Sequence, residues 1–443
     1  MRIKGKGFFK GEPFSFDLPD GWNLLAMAEP KDVPGLADVG ARVRELLAHP
    51  IGMPPLAEVI AALPHTMRTH SLHSGQARSP TAIISEDQTR PTPVGQVLMP
   101  LVAELNRLGI PDSEIDVIIG LGTHRHTTPE QVRAKVGAEA VSRLRVSVHD
   151  PDAGDLVHVG TTSRGTGVWV NRLVAEAALI IGIGTANPHY FAGYGGGAKL
   201  ILPGVCSRET VRQNHVWIRD PQTVTGIMEG NPIWEDMLEA ARLARLTFKF
   251  DAVVNAGKEI CRLYGGEVEA QQKAAVEALK EVYGAAVPAL ADVTIASGYP
   301  LETNLIQSSK AVLSADAVTR PGGTIVLISA CSDGPGPMIY ETLSQRPGAE
   351  EVIDWIACGK ADTSSGPMAA RLRALVASKR LVVVTDGLNR QQLADMEFGH
   401  APTVEQALAE LAATWQQPTG NGRQEAIVLP VGGSSFPYLA AAS

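Results

Sequence analysis

Residues 178–199 read ALIIGIGTANPHYFAGYGGGAK, a short apolar run that opens into a loop crowded with glycine, histidine and aromatic residues. A continuous apolar run of this length, without polar alternation, is the pattern of a strand covered on both faces. The same pattern recurs in TAIIS (81–85), IDVIIGLG (115–122), AVVNAG (252–257), VTIASG (293–298), TIVLIS (324–329), LVVVTDG (381–387) and IVLPVG (427–432). Helical patterns lie between them: VGQVLMPLVAELNRLG (94–109), WEDMLEAARLARL (234–246), EVEAQQKAAVEALKEVYG (267–284) and VEQALAELAATW (404–415). The alternation predicts an α/β protein with mostly parallel sheets.

A chain of 443 residues is long for one core, so two domains are expected. The strand pattern restarts after the helix at 267–284, which places a boundary near residues 284–290. The expected layout is a cofactor-binding domain over 1–285 and a second α/β domain over 286–415, with the active site in the cleft between them. Residues 416–443 are expected to return to the first domain. The N-terminal MRIKGKGFFKGEPFSFDLPDGW alternates like a strand pair, and the His- and Pro-containing 64–80 segment reads as a loop insert.

Composition narrows the function classes. A formal net charge of -8, with no basic run, excludes a surface built to grip nucleic acid. No stretch approaches the roughly 18–20 apolar residues that span a bilayer, and the N-terminus lacks the apolar run of a signal peptide. Cys206, Cys261, Cys331 and Cys358 are scattered, with no CxxC or zinc-ligand spacing. A cytoplasmic enzyme with reduced thiols is the expectation.

In open α/β sheets ligands sit beyond the carboxyl ends of strands. Four loops that follow predicted strands hold most of the unusual polar residues: EDQTRPTP, LGTHRHT, TANPHYFAGYGGGAK and YPLETNLIQSSK. In the first, Asp87 and Arg90 are three apart. They serve either as an N-cap and surface ion pair before a helix near Pro93, or as a guanidinium fork for a carboxylate held by an acid. In the second, His124 and His126 are either ordinary loop residues or an acid/base or metal pair.

In the third loop, Gly193, Gly195, Gly196 and Gly197 precede Lys199, and glycine at this density lets backbone approach a ligand closely. It is not a phosphate-binding P-loop: Ala198 stands at the second glycine of GxxxxGK[ST], and Leu200 stands where a magnesium-binding hydroxyl belongs. A plain glycine turn would leave Pro188, His189, Asn214 and His215 around it unexplained. In the fourth loop Gln307 and Lys310 share a helix face at i, i+3.

Taken in order, these residues resemble the nickel-dependent lactate racemase family, from about Thr81 through Lys310. His189, Lys199 and His215 lie ten and sixteen residues apart, as the family's histidine, cofactor-tethering lysine and nickel-binding histidine do. The DxTR of Asp87 and Arg90, the GTHR of His124 and the QSSK of Gln307 and Lys310 complete the set. The resemblance implies nickel and a nickel pincer nucleotide, covalently tethered at Lys199 and ligated by His215, with Asp87, Gly195, Gly196 and Gly197 around it. It implies His124 and His189 as general acid/bases on opposite substrate faces, with Arg90, Gln307 and Lys310 holding the substrate oxygens.

The implied reaction inverts C2 of a 2-hydroxy acid, lactate-like or larger, by hydride transfer, after maturation by cofactor-synthesis proteins. Glycine and alanine stand at Gly195 and Ala198 where many relatives carry Ser and a larger residue. That departure admits a sugar acid, whose hydroxyls His126, Thr127 and Asn304 would meet. Two other classes stay open: a metal-dependent hydrolase or lyase using His124, His126 and Asp87, and a non-catalytic nickel-nucleotide-binding protein.

Overall fold

The computed structural model describes residues 2–9, 12–63, 81–255, 257–414 and 423–440. The 64–80 insert lies outside the described residues. The chain divides into two compact units, Asp32–Leu279, and Met1–Lys31 together with Lys280–Ser443. Each is built on a six-stranded, largely parallel sheet.

In Asp32–Leu279 the strand order is Ile260–Gly266, Phe248–Val254, Leu179–Thr185, Thr81–Glu86, Ile115–Gly120, Arg145–Val148. All neighbours run parallel except Phe248–Val254 with Ile260–Gly266. Thr81–Glu86, Leu179–Thr185 and Phe248–Val254 are buried along their whole length, which is why they carry apolar runs. The Gly95–Arg107 helix covers the sheet with Val97, Leu98, Leu101, Val102 and Leu105, an i, i+3, i+4 stripe. It starts at Gly95 without a side-chain cap, so Asp87 is not its N-cap.

The Phe248–Val254 strand begins four residues before the apolar run that marks it in the sequence, and the added residues include Lys249 and Asp251. Both are fully buried and paired, Lys249 Nζ to Asp251 Oδ1 at 2.5 Å. In the sheet Lys249 lies opposite Gly182, and Asp251 opposite Gly184. A Cβ on Gly182 would stand 2.7 Å from Lys249 Cδ, and one on Gly184 3.2 Å from Nζ. The alternate glycines of IIGIG therefore leave the groove through which the lysine stem runs.

In the other unit the order is Gly399–Ala401, Arg380–Val384, Thr319–Ile328, Ala291–Ser297, Gln424–Leu429, Trp22–Met27, all parallel. Two expectations of domain layout are corrected here. Residues 1–31 do not belong with the first domain, because Trp22–Met27 completes the second sheet along the edge of Gln424–Leu429. Residues 423–440 do not return to the first domain either. Gln424–Leu429 inserts beside Ala291–Ser297, and Phe436–Leu439 pairs with Gly284–Val287. Buried strands need hydrogen-bonded neighbours on both edges, and these segments supply them. The expected N-terminal strand pair is present as the antiparallel Arg2–Phe9 and Glu12–Asp17 hairpin.

Replacing Asp251 with Ala would strand a buried ammonium, and we expect a loss of about 3–5 kcal/mol in urea denaturation of the full chain. The double variant Lys249→Met, Asp251→Asn removes both charges and keeps an acceptor, so its loss is expected to be much smaller.

Candidate active site

The first sheet reverses its strand order between Thr81–Glu86 and Leu179–Thr185. Chain continuing from the first strand passes to one side, through Ile115–Gly120, while Leu179–Thr185 lies on the other. Such a switch point leaves a crevice beyond the carboxyl ends, where the connections diverge. A pocket lies there, lined by Asp87, Arg90, His124, Gly195, Gly196 and Lys199 among others.

Glu86, the last residue of its strand, is buried and joins the two strand ends. The Thr185 backbone N–H donates to Glu86 Oε2 at 2.6 Å, and Thr185 Oγ1 donates to Oε1 at 2.8 Å. Lys135 Nζ donates to Oε1 at 2.8 Å and to the carbonyls of Arg90 (2.8 Å) and Thr92 (3.0 Å). All three ammonium protons are thereby placed. Lys135 comes from the Pro129–Val136 helix, started by a Thr128/Gln131 capping box with Pro129 at its first turn.

Asp87 is also buried, and its Oδ2 stands 2.8 Å from His124 Nδ1, while Thr89 Oγ1 and backbone N–H donate to Oδ1 at 2.5 and 3.0 Å. Burial alone would raise this carboxyl. The hydrogen bond and charge of His124, the charge of Arg90 and the Thr89 hydroxyl outweigh it and bring the pKa from 3.8 to about 2. Asp87 therefore acts on His124 directly, orienting the ring through Nδ1.

Lys199 lies in the Gly197–Leu200 turn, whose first N–H donates to Asp251 Oδ2 at 2.7 Å. The glycines before it answer to protein packing, which revises their expected role as a ligand cradle. A Cβ on Gly195 would stand 2.2 Å from Asn187 Oδ1, one on Gly196 2.5 Å from Asp251 Oδ1, and one on Gly197 2.0 Å from Gln272 Oε1. Gly196 and Gly197 also hold positive φ, 80° and 52°. Gly195 and Gly196 still present backbone to the pocket; Gly197 is turned against Gln272.

Phe191 gathers three of the expected residues. Its ring meets His189 edge-on at 4.5 Å and His215 at 4.9 Å between centroids, and Lys199 Nζ stands 5.2 Å from its centre. His189 sits on a two-residue strand, Pro188–His189, paired with Gly193–Tyr194, and its Nδ1 accepts the Ala192 N–H at 3.3 Å. His215 ends the Arg208–His215 helix and is buried.

Gln307 and Lys310 lie in the other unit, on the Leu305–Asp316 helix that follows Ala291–Ser297, and Lys310 Nζ donates to Gln307 Oε1 at 2.7 Å. The shared helix face is as expected. Asn304 and Thr127 are already engaged: Asn304 caps that helix through the Gln307 N–H, and Thr127 Oγ1 donates to Gln88 Oε1 at 2.6 Å. His126 is exposed. Glu86, Lys135, Phe191 and Asp251 escape sequence reasoning; only the paired glycines of IIGIG hint at the buried charges beside them.

Two α/β units, one carrying at its switch point a lysine and a buried carboxylate bonded to an exposed histidine, define an enzyme acting on a small molecule. Family models described as the lactate racemase N-terminal domain and the lactate racemase C-terminal domain match residues 9–226 and 286–434. The lactate racemase of Thermoanaerobacterium thermosaccharolyticum is 30% identical over 373 residues, 83% of this chain and 84% of that protein. That of Lactiplantibacillus plantarum is 31% identical over 340 residues, 75% of this chain and 80% of that one. The solved lactate racemase apoprotein from T. thermosaccharolyticum matches with a TM-score of 0.84 and 28% identity, covering 99% of this chain and 100% of that one. A Thermotoga maritima structure at 16% identity and TM-score 0.64, covering 90% and 98%, shares the fold. The chain belongs to the lactate racemase family and is an isomerase of the racemase type.

Replacing Asp87 with Asn keeps the shape and removes the charge that selects the ring tautomer of His124, so kcat for racemisation is expected to fall by about 10²–10⁴. The depressed folded pKa also sets a sign. Asp87 stabilises the fold fully above its unfolded pKa near 3.8, and the contribution disappears as pH falls through about 2. The wild type is therefore expected to exceed Asp87→Asn by about 2 kcal/mol at pH 6 and to lose that margin toward pH 2 in denaturant titrations.

Proposed function

We propose that this racemase inverts the C2 centre of a 2-hydroxy acid, lactate or a close homologue, using a nickel pincer nucleotide carried on Lys199 with His215 as protein ligand to nickel. The observation that carries the reading is the convergence of His189, Lys199 and His215 on the Phe191 ring, beside the pocket that holds His124 and Arg90.

The residues fit such a group. Lys199 extends its amine over an apolar ring face, and Gly195 and Gly196 offer backbone rather than side chain to the pocket. His215 supplies one imidazole, a donor suited to nickel. Among the described residues no group of three His, Cys, Asp or Glu side chains is placed to hold a metal, which suits a metal that arrives with its own donors. When bound, the nucleotide supplies a hydride acceptor, sparing the enzyme a dianion beside the substrate carboxylate.

The two acid/base histidines are prepared in opposite senses. His124 donates its Nδ1–H as a hydrogen bond to the Asp87 carboxylate, which leaves Nε2 with a lone pair to take the substrate hydroxyl proton. His189 accepts the Ala192 N–H at Nδ1, so its neutral ring carries its proton on Nε2; returning that proton would leave an imidazolate held by the Ala192 N–H. One base and one acid are what an inversion through a planar 2-keto acid requires, and the roles exchange for the reverse direction. Arg90 offers a fork for the carboxylate, with its backbone held by Lys135. Gln307 and Lys310, joined by their own hydrogen bond, are assigned to the remaining substrate oxygens.

The relatives named above are lactate racemases, which favours lactate or a close homologue over a polyhydroxylated acid. Among the described residues His124, His126 and Asp87 do not form a group that could hold a metal, which weighs against a metal-dependent hydrolase or lyase built on them. Cofactor-synthesis proteins as maturation partners and a reducing, cytoplasmic setting belong to the same reading; the four cysteines are free thiols.

Matured enzyme offered single enantiomers of lactate, larger 2-hydroxy acids and aldonates in deuterium oxide is expected to invert lactate-like substrates without deuterium gain at C2. Full deuterium incorporation would overturn hydride transfer. Intact mass is expected to show an adduct that Lys199→Ala lacks. Racemisation undiminished in a His124→Ala, His189→Ala double variant would overturn the assigned acid/base pair.

A further inference from the structure

His215 is the residue on which metal capture depends in the reading above, and an imidazole can ligate through Nε2 only if that nitrogen holds the lone pair. The ring does not decide this alone. Its Nδ1 stands 3.1 Å from Oδ1 of the preceding residue, Asn214. An amide can present either its oxygen or its nitrogen, so the contact decides nothing until the amide orientation is known.

That orientation follows from the other end of the amide. Asn214 is fully buried, and its nitrogen donates to Asp236 Oδ2 at 2.9 Å and to the Ile233 carbonyl at 3.2 Å. Both partners only accept, so a flipped amide would set oxygen against oxygen twice in a buried site. Asp236 cannot turn away to relieve this. It is itself fully buried, and Thr162 Oγ1 (2.5 Å) and Thr166 Oγ1 (2.8 Å) donate to its two oxygens. These contacts come from three separate elements: the loop carrying Thr162 and Thr166, the Arg208–His215 helix and the Pro232–Leu243 helix. The amide oxygen must therefore face His215, and Nδ1 must carry the proton.

We infer that Asn214, locked by Asp236, is a positioning residue that sets the tautomer of His215 and keeps Nε2 as the metal-facing lone pair. The carboxylate acts on the ring through an intervening amide rather than by direct contact. Outer partners of this kind hold metal-binding histidines in one tautomer, and their loss weakens metal binding by about 10–100-fold. The inference rests on the nickel assignment of His215, yet its first half concerns the ring alone and can be measured without metal.

The test has two arms. In the full-length ¹⁵N-histidine-labelled chain expressed without maturation proteins, long-range ¹H–¹⁵N spectra are expected to show His215 protonated at Nδ1 with a lone pair at Nε2. Asn214→Ala is expected to lose that preference. The exchanged variant Asn214→Asp, Asp236→Asn gives up the bond to the Ile233 carbonyl but keeps an acceptor at Nδ1 and the buried charge, and is expected to restore it. In the second arm, matured proteins are dialysed against a chelator. Asn214→Ala is expected to lose nickel about 10–100-fold more readily than wild type, and the exchanged variant to recover.

A wild-type His215 protonated at Nε2, or an Asn214→Ala chain with an unchanged spectrum, overturns the inference. If Asn214→Ala does not fold, the exchanged variant decides: a ring protonated at Nε2 there overturns it as well. A tautomer that responds as expected while nickel retention does not would instead overturn the assignment of His215 as the nickel ligand, leaving Asn214's control of the ring in place.

Discussion

The carboxylate of Glu86 is the constraint on which the site depends. It stands at the end of the central strand, buried, and reaches across to the backbone N–H and hydroxyl of Thr185 on the neighbouring strand. A carboxylate in that position must be paired to stay charged, and Lys135 supplies the pair together with two loop carbonyls. The same ammonium therefore neutralises the charge and pins the backbone of Arg90 and Thr92. Asp87 follows Glu86 directly, so the orientation of His124 is anchored to the same strand end. Beneath the glycine turn a second buried pair, Lys249 and Asp251, holds the N–H of Gly197 and with it the turn that presents Lys199.

Three histidines of one chemical type thus meet three different groups at Nδ1. Against His124 it is a carboxylate, against His189 a backbone N–H, against His215 an amide oxygen that a distant carboxylate orients. The first and third leave the lone pair on Nε2; the second leaves a proton there. In the proposed assignment, the division of labour among proton acceptor, proton donor and metal ligand follows from these partners rather than from the rings.

Much of this fold can be read along the chain. The fully buried strands announce themselves as apolar runs, and the helices between them by their periodic stripes. Arg90, His124, His189 and Lys199 follow predicted strands, where an open sheet places its ligands, while His215 ends a helix. Domain membership was less legible. Trp22–Met27 and Gln424–Leu429 join a sheet whose other members lie far away in the chain, and strand pairing over such distances leaves no periodic trace. The glycines are ambiguous for a related reason: a glycine forced by Gln272 or Asp251 looks the same in sequence as one that offers backbone to a pocket.

The His189–His215 segment, by its residue types and order, carried the resemblance to the lactate racemases, the family whose models match the chain. Local order could not say which nitrogen of each ring holds a proton, nor which charges would be buried against one another. For His124, Asn214 and Glu86 those depend on partners far away in sequence: Asp87, Asp236 and Thr185. Only folding brings such groups into a medium poor enough in water for each to dictate the state of the next.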